Sequence, residues 1–222
     1  MAKQNKNLTI VGAGKLGIVL AQLALKAGYT VYVSGSGSPD KIRLSVEVLA
    51  PGAHALTLAD ATKRSDIIVL ALPLGKYQSV PKDMLAGKLV VDAMNYWWEV
   101  DGDRDDLRNP ETSTSELVQS YFDTSRVVKA LSHMGYHHLL DETRPVGAPN
   151  RKAIAIAGDN AADNQVVAQL INDLGFDPLH IGQLSAGRWL EPGHEAFGAN
   201  VDSDTLASYL HDLPPSYAAA VT

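Results

Sequence analysis

Three stretches of this 222-residue chain hold residue types whose spacing could do chemistry. The first is Gly12-Ala13-Gly14-Lys15-Leu16-Gly17, a G-x-G-x-x-G pattern. Glycines at those intervals permit a tight turn (Gly12), close approach of the backbone to a pyrophosphate (Gly14) and close packing of a helix on a strand (Gly17). The anion would rest at the helix amino end, where unpaired N–H groups and the helix dipole favour negative charge. The second stretch is His133, His137 and His138. On one helix the first two would share a face suited to zinc, but they follow a strand and have Gly135 between them. Structural imidazoles therefore carry most weight, a histidine bonding or protonating an acceptor comes next, and a metal site last. The third holds Asp101, Asp103, Asp105 and Asp106, which share the opening spacing of a calcium loop. Its sixth position would be Asp106 rather than glycine and its twelfth Thr112 rather than glutamate, so an EF-hand is excluded. A solvated acidic loop is the first reading of that stretch and a mobile lid the second.

The glycine pattern gains its meaning from the elements that must position it. Leu8–Val11 reads as a strand before it. After it Leu16, Val19, Leu20, Leu23 and Ala27 recur at helical spacing, with Gly28 placed to end the helix. Further strands are expected at Thr30–Val33, His54–Thr57, Asp66–Leu72, Lys88–Asp92, Arg126–Ala130, Ala153–Ala157 and Asp177–His180. Ser113 and Glu116 have the spacing of a capping box, and Asn160 is placed to cap a helix that closes at Gly175. Short β-branched runs alternating with amphipathic helices call for an α/β fold: a Rossmann-type, doubly wound, mostly parallel sheet. Residues 1–183 are expected to form the NAD(P)-binding domain and residues 184–222 a C-terminal appendage or tail. Asn95 to Pro110, and Ser185 onward, fit no regular element. Trp97 and Trp98 in the first of these read equally as acceptor-stacking groups and as loop anchors, and Arg188 and Glu191 in the second read foremost as an ion pair.

The end of the second strand selects the dinucleotide. An NAD site places Asp or Glu about 20 residues past the glycines, to take the ribose hydroxyls. This chain has Ser34-Gly35-Ser36-Gly37-Ser38 there, with Lys41 and Arg43 following. Hydroxyls and glycine N–H groups can bond a 2′-phosphate that a carboxylate would repel, so Ser34, Gly35 and Ser36 read as NADP contacts. A solvated loop is the plainer alternative.

Composition narrows the rest. The chain has no cysteine, which removes disulfides, thiolate nucleophiles and iron–sulfur ligation, so redox chemistry must come from a cofactor. A formal net charge of -6 with no basic stripe argues against nucleic acid. The apolar run Ile67–Leu72 is too short for a bilayer and the amino end lacks a signal-peptide pattern, so no membrane partner and a cytoplasmic location are expected. None of the tyrosines stands four residues before a lysine, which a short-chain dehydrogenase requires.

Taken in order, Gly12–Gly17, Asp66–Pro73, Lys88–Asn95, Val127–Leu131, Ala157–Asp159 and Gly182–Arg188 resemble the NADP reductases dependent on the deazaflavin coenzyme F-420. They are also similar to the cytosolic oxidoreductase domain of six-transmembrane ferric reductases. The resemblance implies that NADP lies along the carboxyl ends of the strands, with Leu72, Pro73, Met94 and Asn95 near its ribose and nicotinamide. It implies a deazaflavin or flavin co-substrate beside Leu131–Met134 and, with the proline-bearing tail, a homodimer. The chain departs from the family where Ser-Arg commonly follows the second strand, and in the long segment Tyr96 to Asn109. The expected activity is NADPH-dependent hydride transfer to a deazaflavin, flavin or small acceptor. Side chains need do little beyond positioning and excluding water, because the cofactors supply the electronics. A non-catalytic NADP(H)-sensing module is the alternative. A dehydrogenase of a small hydroxy compound, with His133 as catalytic proton donor, is a third reading.

Overall fold

The computed structural model describes residues 6–108 and 112–210. Asn109 and Pro110, and the prolines expected in the tail at 214 and 215, lie outside the described residues. In chain order the elements are β1 (Asn7–Val11), α1 (Lys15–Lys26), β2 (Thr30–Ser34), α2 (Asp40–Leu49), β3 (His54–Ala55), α3 (Leu58–Thr62), β4 (Ile67–Leu70) and β5 (Leu89–Asp92). They continue with α4 (Trp98–Asp101), α5 (Thr114–Tyr121), β6 (Arg126–Ala130), α6 (Tyr136–Asp141), β7 (Ala153–Gly158), α7 (Ala161–Leu174), β8 (Asp177–Gly182) and α8 (Ser203–Tyr209).

Among the described residues the strands form one sheet in the order β3-β2-β1-β4-β5-β6-β7-β8. Neighbours are parallel except β6 and β7, which run antiparallel. This is the doubly wound Rossmann-type α/β fold. The winding reverses between β1 and β4, and such a reversal opens a crevice beyond the carboxyl ends of the strands.

The strands are apolar runs because helices cover both faces. Their period of two divides the core. Ile10, Val69, Val91 and Val128 point to the side of α1 and α7, where they meet Leu20, Leu23, Leu170 and Ile171. Val11, Ile68, Leu70, Val90 and Val127 point to the other side and meet Val118, Phe122 and Leu85. Each such side chain contributes about 1.5–3 kcal/mol of hydrophobic stabilisation, and together they hold the strand ends in place.

Helix ends follow local chemistry. The Ser113 hydroxyl accepts from the Glu116 N–H and the Glu116 carboxylate accepts from the Ser113 N–H, a complete capping box. Asn160 Oδ1 accepts from Ala162 and Asp163, and Gly175 closes α7 at a φ of 104°. Three strands are shorter than expected, β5 only by its first residue. β3 stops at Ala55 because Thr57 leaves the sheet to cap α3, accepting from the Asp60 N–H. β4 stops at Leu70, although Ala71 N–H still donates to the Val11 carbonyl. Residues 184–210 pack on the sheet: Ala186, Leu190, Ala196 and Leu206 bury against Ala153, Ala155 and Ala157 of β7. No helix among the described residues is long and apolar enough to cross a membrane.

Candidate dinucleotide and acceptor site

The three glycines of the turn are required for different reasons. Gly12 has a φ of 122°, and a Cβ there would stand 2.2 Å from the Ala71 carbonyl oxygen. At Gly17 a Cβ would stand 1.9 Å from the Gly12 carbonyl oxygen, so the helix can lie on the turn only without a side chain. Gly14 is different: a Cβ there meets nothing within 4 Å. No protein contact demands glycine at Gly14, which is the cradle a bound group would fill. Gly14 is also the N-cap of α1 and offers no side-chain cap to the first turn, leaving its N–H groups available to an anion. Ala13 and Leu16 pack partly on the core, and the Ser34 carbonyl accepts the Gly12 N–H at 2.8 Å, fastening β2 to the turn.

Gly14, Lys15 and Leu16 open into a cavity of about 640 Å³. Leu72, Pro73, Met94, Asn95 and His133 line the same space, so the fold joins the turn to the strand ends that the resemblance implied. Its floor is apolar, from Ala71, Ala93, Leu131 and Met134. Met94 is held at both peptide groups. Its N–H donates to Asp92 Oδ1 at 2.9 Å and its carbonyl accepts from Lys129 Nζ at 2.5 Å. Asn95 Nδ2 donates to the Ser132 carbonyl at 2.6 Å, tying β5's end to the opposite wall.

Ser34, Gly35 and Ser36 stand apart from that cavity, beside the turn at the end of β2. Ser34 is buried with its hydroxyl on the Gly35 carbonyl at 3.4 Å, Gly35 fits against Ile42, and Ser36 is exposed. Arg43 is paired with Asp40 at 2.6 Å. Lys41 Nζ lies 3.8 Å from the Cβ position of Gly37, which makes it the cation beside the serine–glycine loop.

The acidic segment is solvated at Asp103, Asp105 and Asp106, as expected, but anchored at Asp101. Asp101 accepts from the Gly75 and Trp97 N–H groups, Arg104 pairs with Asp106, and Arg108 pairs with Asp103 and Asp105. Trp97 meets Phe197 edge-on with 5.5 Å between ring centroids, and both line the cavity, whereas Trp98 is 67% exposed. Glu191 accepts from the Thr114 N–H and hydroxyl, so it secures the start of α5.

His133 is 1% exposed and accepts the Ala155 N–H through Nε2 at 3.1 Å, which places its proton on Nδ1. Burial pushes its pKa down to about 4, so the ring is neutral at physiological pH. Its carbonyl accepts from the Gly198 N–H at 2.7 Å, anchoring the segment that carries Phe197. His137 and His138 sit on α6 and His133 before it, and among the described residues no three His, Cys, Asp or Glu side chains group to hold a metal.

Residues 7–96, from β1 to the wall of this cavity, match the family model described as NADP oxidoreductase, coenzyme F420-dependent. The match covers 90 of the 222 residues, and over this part the chain is similar to that family. Over 138 residues it is 30% identical to the F420-dependent NADP reductase of Methanocaldococcus jannaschii, covering 60% of each chain. It is 27% identical over 192 residues to the metalloreductase STEAP3 of Rattus norvegicus, a match that covers 85% of this chain and 36% of that protein. The chain thus spans little more than a third of one of these curated relatives and 60% of the other. Among solved structures, the hypothetical protein SMa0349 of Sinorhizobium meliloti shares the fold with a TM-score of 0.74 at 25% identity, covering 88% of this chain and 94% of that one.

Nothing in the residue pattern points to Phe197 and Gly198 as lining the cavity. They lie in the segment after β8, and a long-range hydrogen bond to His133 brings them there. Tyr136 and His137 of α6 line its mouth as well, with Lys15 Nζ 5.6 Å from the Tyr136 ring centroid.

Proposed function

We propose that this oxidoreductase passes hydride between NADP(H) and a flat deazaflavin or flavin-type acceptor. The observation that carries this reading is the single cavity running from Gly14 to an apolar wall of Met134, Trp97 and Phe197, past Met94 and Asn95. When bound, NADPH would supply the hydride from its nicotinamide. Gly14, Lys15 and Leu16 would hold the diphosphate, Ser34, Gly35 and Ser36 with Lys41 the 2′-phosphate, and Leu72, Pro73, Met94 and Asn95 the ribose and nicotinamide end. The apolar floor excludes water, and the aromatic edges of Trp97 and Phe197 suit a planar ring better than a hydroxy acid. His133 is neutral, with Nε2 occupied by the Ala155 N–H, which favours ring-to-ring hydride transfer over protonation of a carbonyl by this residue.

A module that only senses NADP(H) would bury the nicotinamide, so space beyond Asn95 supports an enzyme. Stopped-flow oxidation of NADPH by F420, FMN, FAD and small carbonyl compounds tests the reading. Turnover with a deazaflavin or flavin is the expected result. NADPH binding without turnover of any ring acceptor would overturn the acceptor class and favour the sensor.

A further inference from the structure

Four separate segments meet at one buried charge site. Lys129 on β6 and Asp92 on β5 are register partners, and neither side chain has any exposed surface. Lys129 Nζ lies 3.4 Å from Asp92 Oδ2 and donates to the Met94 carbonyl. Asp92 Oδ2 also accepts from the Ser115 hydroxyl at 2.7 Å, and its Oδ1 takes the Met94 N–H. From the segment after β8 Gly187 makes room for the lysine stem: a Cβ there would stand 3.1 Å from Lys129 Cγ.

Buried ion pairs are poor sources of stability, because desolvation offsets their attraction and well-packed apolar side chains often serve as well. What an apolar pair would lack is the hydrogen bonding. The two members of this pair grip the N–H and the C=O of the same residue, Met94, at the point where β5 leaves the sheet for the cavity wall. Asn95, next in the chain, extends the constraint to Ser132.

We propose that Lys129 and Asp92 are positioning residues that set the Met94–Asn95 backbone against the nicotinamide end of the bound dinucleotide. This rests on the NADP reading above and assigns the pair to one end of that ligand. The adenosine end, held by the glycine turn and the serine loop, does not depend on it.

The test compares three ligands on the full chain: NADP+, NADPH and 2′,5′-ADP, which carries the adenosine half alone. Lys129→Met is the direct variant. Lys129→Met with Asp92→Asn is the second, because removing both charges leaves no unpaired buried ion to unfold the protein. In both, 2′,5′-ADP affinity stays at the wild-type value while NADP+ binds about tenfold more weakly. The fluorescence gained by the nicotinamide of NADPH on binding falls back toward that of the free coenzyme. A double variant that matches wild type with all three ligands makes the pair merely structural and overturns the proposal. Parallel loss of 2′,5′-ADP and NADP+ affinity overturns it too, because the pair would then support the whole site. Wild-type protein that binds none of the three ligands overturns the NADP reading and this proposal together, whereas the first two outcomes leave that reading intact.

Discussion

Asp101 fastens Gly75. One carboxylate oxygen accepts the Gly75 N–H at 2.8 Å and the other the Trp97 N–H at 3.0 Å, so the turn after β4 and the segment after β5 share one anchor. Arg104 adds a 3.4 Å bond to the Gly75 carbonyl, and the Tyr96 hydroxyl bridges Gly102 and Arg104. An acidic segment at the cavity mouth is thereby part of its wall.

Asp101→Ala should free that wall while leaving the glycine turn intact. Loss of two hydrogen bonds to a charged acceptor costs about 1–3 kcal/mol, read as a lower Tm. Residues 96–108 should become sensitive to limited proteolysis, with NADP+ affinity close to wild type. An unaltered cleavage pattern would show that the segment holds its place by other contacts.

The turn glycines separate folding from binding. Gly12→Ala and Gly17→Ala place a methyl against backbone oxygens at 2.2 and 1.9 Å and should yield poorly folded protein. Gly14→Ala meets no protein atom, so its Tm should match wild type while NADP+ affinity falls about tenfold or more through contact with the ligand. Calorimetric titration beside thermal unfolding checks this, and wild-type affinity in Gly14→Ala would remove Gly14 from the diphosphate site.

Local signals made much of this legible in the chain. The Ser113–Glu116 box, the Asn160 cap and the period-two strands each depend on neighbours a few residues away, and the structure reproduces them. Asp101 was legible only as one of several acids, because its partner Gly75 is 26 positions distant. Phe197 was not legible at all. What brings it to the cavity is a main-chain bond between Gly198 and His133, and main-chain bonds leave no mark on residue type. Lys129 sits within a strand that reads as apolar, and its burial depends on Asp92, from another strand, and on Gly187, beyond the last one.

His133 links stability to pH. Its folded pKa is about 4, below the ordinary value of 6.5, because burial disfavours the charged ring. Below pH 6.5 the unfolded chain takes up a proton that the folded chain refuses. Stability from this group is therefore complete above pH 6.5 and declines as the pH falls toward 4, by about 3 kcal/mol in all. Below pH 4 the folded form is protonated as well and the loss levels off. Denaturant unfolding of wild type and His133→Gln between pH 4 and 7 checks this: the slope should be shallower in the variant. Equal slopes would mean that His133 is protonated in the folded protein.

Lys41 and Arg43 look interchangeable beside the serine loop, and their surroundings make them unequal. Arg43 is engaged by Asp40, two residues after Ser38, and Ser38 itself bonds that carboxylate at 3.1 Å. Lys41 instead stands next to Gly37, whose φ of 94° turns the loop around it. A 2′-phosphate arriving at Ser34–Ser36 would gain a charge-assisted bond from Lys41, whereas Arg43 would first have to give up its own partner. Lys41→Gln should therefore weaken NADP+ binding about tenfold and leave NAD+ binding unchanged, while Arg43→Gln alters the ratio little. Side-by-side titration of both coenzymes decides the matter. A larger effect of Arg43→Gln would mean that the Asp40 pair opens on binding, and equal affinity of wild type for NAD+ and NADP+ would remove the 2′-phosphate from this loop.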